Sequence, residues 1–387
     1  LRLFGRLLYN PDTNPAVWNR YLQKTFGAAG EGVEQALANA SRILPIVLTA
    51  HGTSAGNNTY WPEMYTNQPI VDPTINGSDK HLYDTPAPKV FGNVSPLDPQ
   101  LFLSINQYVS ELLKGEHSGK YTPIETAQWL EDYAATADRH LTQAEAKTAD
   151  PKRAEFRRMA IDVAMQIGLG RFFASKFRAG VLYAIFEQTG DRAALEQSLK
   201  AYRSARSSWA TVADLAKDVY KSDIPVGEQT FLRGHWLDRL PAMDQDIAAM
   251  ATKLEQAGGN ESASGAQAQA AIRQALGRPQ RTKVTCRHTP PPSFAAGQPI
   301  SLQLSVDRQP ASVRLYYRHV NQAERYESVD MQRVGQGYQA TIPASYTESP
   351  YPIQYFVEGK EPTGSAWLYP GFNTDLTSQP YLLVRQG

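Results

Sequence analysis

The sequence is nearly without cysteine: Cys286 is the only one in 387 residues. An intrachain disulfide and a thiolate metal cluster are thereby excluded, and stability has to come from packed cores. Net charge is almost absent too, with 39 basic residues against 38 acidic ones for a formal +1. No general attraction to nucleic acid or to an anionic membrane is encoded in such a balance. Long apolar runs are missing: the stretch from Ile43 to Ala50 falls far short of the ~20 residues that span a bilayer. There is no His-x-x-x-His or His-Glu-x-x-His pair, no Gly-x-Gly-x-x-Gly turn and no Gly-Lys-Ser/Thr phosphate loop. His235 and Asp238 stand three apart, a spacing that suits a local hydrogen bond as well as a metal. The expectation is no metal, no cofactor, no nucleic-acid partner and no membrane partner.

What remains is an ordinary globular composition, 42% apolar and 20% charged, in a chain long enough for two or three domains. From Asn14 to about Leu276 the apolar residues recur at helical steps. Asn14 and Pro15 open a helix whose apolar side is Val17, Trp18, Tyr21, Leu22 and Phe26, with Gly27 as its stop. Thr122, Pro123 and Glu125 form a capping-box start for a second. Asp150 and Pro151 start a third, carried by Phe156, Met159, Val163 and Ile167, and "GRFFASKFRAGVLYAIFEQTG" continues it with apolar residues nearly all round, as a central bundle helix does. In "QIGLGRF" the glycines are placed to let neighbouring helices approach closely. Asp191 caps the next helix, through Leu195, Leu199, Tyr202, Trp209 and Val212. The spacing predicts six to eight helices in an antiparallel array.

After Gly277 the period becomes two. "ISLQLSV", "SVRLYYRHV", "YESVDMQRV", "GYQATIPA" and "PIQYFVEG" alternate apolar and polar residues between turn signals, the pattern of a small β-sandwich. The predicted fold class is α+β multidomain: an all-α antiparallel helical domain over 1–277, with a long irregular loop at 52–99, followed by an Ig-like β-sandwich over 278–387. Leu1 is not Met, and "LRLFGRLLYN" reads as the tail of a preceding element, so a piece of a longer protein is expected.

The loop is rich in Pro, Gly, Asn, Asp and Thr, and loops of that length inside compact domains are usually functional. Its opening, "AHGTSAGNNTYWPEMYTN", carries the residue types that bind sugars: ring faces from Tyr60, Trp61 and Tyr65, and planar amide or carboxylate groups from Asn57, Asn58 and Glu63, with His51 beside them. These seven are the candidate substrate-binding residues. A packing reading stands beside the sugar-facing one, in which Trp61 and Tyr65 plug the loop onto the core and the asparagines bond local backbone. Glu63 has no identifiable carboxylate partner for glycoside hydrolysis, and no catalytic residue is assigned.

Phe4 to Gly27, "FGRLLYNPDTNPAVWNRYLQKTFG", resembles the stretch after the catalytic (β/α)8 barrel in α-glucuronidase-like and related glycoside hydrolases. Val313 to Gly359 resembles the Ig-like or fibronectin type III-like modules appended to bacterial extracellular enzymes. These resemblances imply an accessory C-terminal region of a secreted or periplasmic bacterial carbohydrate-active protein, with a glycan and an upstream catalytic domain as partners. The barrel is not in this chain, so no catalytic carboxylate is carried over. Two rival readings are a self-contained polysaccharide lyase or hydrolase, with Asn57, His51 and Tyr60 as the right types for uronate neutralisation and proton abstraction, and a structural or protein-interaction module.

Overall fold

The computed structural model describes residues 2–52, 68–73, 90–225, 233–257, 265–321 and 323–387. The fold is mixed α+β. Ten α-helices occur among the described residues: α1 Arg2–Tyr9, α2 Ala16–Phe26, α3 Gly30–Ala40, α4 Ile43–Ala50, α5 Ile105–Lys114, α6 Pro123–Lys147, α7 Ala154–Thr189, α8 Arg192–Ala216, α9 Leu240–Gln256 and α10 Ala266–Leu276. None of them is long and apolar enough to cross a membrane. The chain divides into two compact units, the first made of 1–97, 104–106 and 123–278, the second of 98–103, 107–122 and 279–387.

In the first unit local chemistry sets the helix ends. The Asn14 side chain accepts the Ala16 N–H at 2.9 Å, and Asp191 accepts those of Ala193 and Ala194 at 2.8 and 3.2 Å, relieving donors that the first turn of a helix leaves without partners. His235 and Asp238 form a reciprocal cap over the short 3-10 turn Trp236–Arg239. The centre is α7, whose Phe172, Phe173, Phe177 and Leu182 are all buried, flanked by α6 and α8. Gly168 explains how α8 comes so close: a Cβ there would stand 2.4 Å from Val212 Cγ2, well inside van der Waals contact. An antiparallel pair of two-residue strands, β1 Ile224–Pro225 and β2 Arg233–Gly234, interrupts the helices.

The second unit holds two antiparallel sheets. One has the order β3-β4-β8-β7, from β3 Cys286–Arg287, β4 Ile300–Val306, β7 Gln332–Val334 and β8 Gly337–Ile342. The other has the order β10-β9-β5-β6, from β5 Ser312–His319, β6 Glu327–Asp330, β9 Ile353–Lys360 and β10 Ala366–Tyr369, with β11 Leu382–Val384 also on β9. Leu302, Leu304 and Ile342 from the first sheet and Leu315, Tyr355, Val357 and Trp367 from the second belong to one buried cluster. The stretch "YESVDMQRV", which alternation reads as one strand, is split at buried Met331 into β6 in one sheet and β7 in the other.

Residues 98–122, which periodicity groups with the helices, contribute largely to this unit. Arg318 donates to Asp98 at 2.7 Å with both side chains nearly buried. Gln100 exchanges two hydrogen bonds with the Tyr326 backbone. Gly119 N–H donates to Glu358 at 2.6 Å, and Arg281 spans the carbonyls of Gly119 and Lys120, both at 2.7 Å.

Candidate functional site

Of the seven candidate residues, His51 is described; Asn57, Asn58, Tyr60, Trp61, Glu63 and Tyr65 lie outside the described residues. The chain on both sides of those six is held in a buried clasp within the helical unit.

One half of the clasp closes the ends of the loop. His51 follows α4 directly, and its backbone N–H donates to the Val47 carbonyl at 2.8 Å. Gly52 N–H then donates to Ser95 O at 2.8 Å while Leu97 N–H donates to Thr49 O at 3.0 Å. The two strands of chain are so near that a Cβ on Gly52 would stand 2.6 Å from Leu97 N, which leaves room for glycine alone. The His51 ring is 2% exposed. It packs on Phe91 at 3.9 Å between centroids and edge-on to Phe177 at 5.3 Å. Its Nε2 meets the Phe91 carbonyl at 2.8 Å, so Nε2 carries the hydrogen of the neutral ring. Burial drives its pKa down to about 3, the Phe91 carbonyl opposing and the Lys176 charge assisting. His51 is thus a neutral core side chain that presents no face to a ligand here.

The other half pins the middle of the loop. Asp246 on α9 is fully buried and accepts three successive backbone N–H groups, from Ile70 at 2.6 Å, Val71 at 3.1 Å and Asp72 at 3.0 Å. A carboxylate gripping three amides is a charge-assisted arrangement of roughly twice the strength of neutral hydrogen bonds. Lys176 on α7, also fully buried, donates to the Gln68 carbonyl at 2.7 Å. Its Nζ lies over the rings of Phe91, Tyr202 and Phe172 at 5.0, 5.2 and 5.6 Å, where the ring quadrupoles favour a cation. Desolvation nevertheless pushes the Lys176 pKa well below its ordinary value, with Asp246 pulling it back up. The Tyr202 hydroxyl hydrogen-bonds the Asp246 carboxylate, and burial first, then that charge, hold its ionisation well above the usual range. Phe91 N–H, finally, donates to Pro69 O at 2.8 Å, tying the middle of the loop to its return.

Chemically this cluster anchors rather than reacts, because Lys176 and Asp246 have no exposed surface through which a substrate could reach them. Neither was among the sequence candidates. The signal was present in "FFASKFRAG", a lysine in the middle of a helix that is apolar all round, where a charge must have a dedicated partner. Asp246 carried no comparable mark.

No family model matches the sequence, and no curated protein matches it. Among solved structures, a GH138 enzyme targeting pectin rhamnogalacturonan II is similar at 16% identity and a TM-score of 0.49. The match covers 65% of this chain and 37% of that one, so the chain spans well under half the length of the enzyme. A likeness of that strength by itself establishes neither fold nor activity.

Proposed function

We propose that this chain is an accessory region of a carbohydrate-active protein. Its helical unit presents the 52–99 loop to a glycan through Asn57, Asn58, Tyr60, Trp61, Glu63 and Tyr65. Its β unit is an Ig-like or fibronectin type III-like sandwich serving as a spacer, and the whole works secreted or periplasmic beside an upstream catalytic barrel. The observation that supports this reading is the clasp. A plain connection has no need of two fully buried charged side chains, whose desolvation is expensive, to hold its backbone at 68–72. A recognition loop does, because anchoring before binding removes the ordering entropy from the binding step. The lyase alternative is weakened by His51, which at 2% exposure is withdrawn from the role of a proton-abstracting base.

Glycan-array binding and thermal melts on the same Trp61→Ala protein test the proposal. Glycan binding lost with the melting temperature held within about 2 °C, a shift well below that of a core truncation, is the expected result. A wild-type protein that binds no glycan, or a variant that melts several degrees lower with binding intact, would overturn it.

A further inference from the structure

A groove of 470 Å³ lies among α3, α4, α7 and the chain that joins α8 to α9. That volume is within the ~300–1,000 Å³ typical of small-molecule sites. Leu44 and Pro45 from α4 and Met165 and Leu169 from α7 line it with aliphatic surface. Asp162, Tyr220 and Trp236 line it as well, with the polar Ser41 and Gln166. Tyr220 is 37% exposed and Trp236 only 8%, and their rings meet edge-on at 5.3 Å. The Tyr220 hydroxyl donates a short hydrogen bond to Asp162 Oδ1. Among the described residues there is no other hydrogen bond to the exposed Asp162 carboxylate, and no lysine or arginine lines the groove.

We propose that this groove binds a small organic monocation, an ammonium group carried on an apolar body. The ammonium sits at Asp162 Oδ2 and beside the Tyr220 ring, and the body lies on Leu44, Pro45, Met165 and Leu169. Three features select that chemistry. A single carboxylate with no cation among the described lining residues repels an anion and attracts a cation. An aromatic face next to the carboxylate adds a cation–π contribution. The aliphatic surface of Leu44, Pro45, Met165 and Leu169 suits an alkyl or aryl body, which gains from burial there. Tyr220 keeps its proton throughout the working range, since burial and the Asp162 hydrogen bond push its pKa up to about 12. None of the described residues that line the groove belongs to the 52–99 loop, and the test of this site is independent of the glycan reading.

Titration calorimetry and ligand-observed NMR with phenethylamine, phenethyl alcohol, phenylacetate and maltose provide the test. These compare one body with a positive, a neutral and a negative head, and set a neutral sugar beside them. Phenethylamine is expected to bind at least ~10-fold more tightly than phenethyl alcohol, a difference of about 1.4 kcal/mol, with phenylacetate weakest and maltose silent. Asp162→Asn should erase that preference. Tyr220→Phe, which keeps the ring and releases Asp162 from its hydroxyl, should retain amine binding. Equal binding of the three heads, an unchanged preference in Asp162→Asn, no phenethylamine binding up to millimolar concentration, or maltose binding that Tyr220→Ala removes would each overturn the proposal.

Discussion

Replacing Asp246 by Ala removes the acceptor of three backbone N–H groups and the charge that supports buried Lys176. A buried donor left without an acceptor costs about 1–3 kcal/mol; the Ile70 N–H is buried and those of Val71 and Asp72 are part-buried, and Lys176 also loses the carboxylate charge that raises its pKa. These contributions overlap, since some freed amides will find water, so the expected loss is about 4 kcal/mol rather than their sum. The assay is urea unfolding followed by far-UV circular dichroism at the helical band, which reports the unit that contains α6 to α9. Asp246→Asn keeps the shape and one acceptor oxygen but turns an amide donor toward backbone donors, and should fall between wild type and Ala. A second site closes the cycle: Lys176→Met combined with Asp246→Ala should lose clearly less than the sum of the single losses, because no ammonium then remains without its counter-charge. Limited proteolysis should cut within 53–89 faster in Asp246→Ala than in wild type. A loss below about 1 kcal/mol, too small for even one orphaned buried donor, with unchanged cleavage, would refute the claim that this carboxylate holds the loop.

Two further outcomes follow from the same core. His51 has a native pKa near 3 against an ordinary 6.5, so between those values the unfolded chain binds a proton that the native state refuses, and stability falls as pH drops through that window by up to ~1.4 kcal/mol per unit. Unfolding free energies at pH 7, 5 and 4 should therefore decline more steeply for wild type than for His51→Gln, and equal slopes would count against a neutral buried ring. Gly168→Ala drives a methyl to within 2.4 Å of Val212 Cγ2 and should cost ~1–3 kcal/mol by overpacking. Gly168→Ala with Val212→Ala should lose less than the two single variants together, and strict additivity of their melting shifts would place the clash elsewhere.

The sequence by itself determined what depends on neighbours a few residues apart. The helical period through α2, α7 and α8, the caps at Asn14 and Asp191 and the alternation along β4 are local patterns, because a helix or strand side chain faces the core according to its own spacing. The mixed α+β class was readable for that reason. The aromatic and amide composition around Trp61 marks the loop in the sequence, and His51 belongs to that set by adjacency alone. Only the tertiary structure decided that His51 is a neutral core ring, since its burial comes from Phe91 and Phe177, residues remote in sequence. It alone brought Lys176 and Asp246 to the same loop segment, assigned residues 98–103 and 107–122 to the β unit, and sent the chain from one sheet to the other at Met331. In each case the deciding term is the desolvation of a polar or charged group, or the satisfaction of backbone donors. That free energy is defined only once distant segments have met, and no period or propensity along the chain records it.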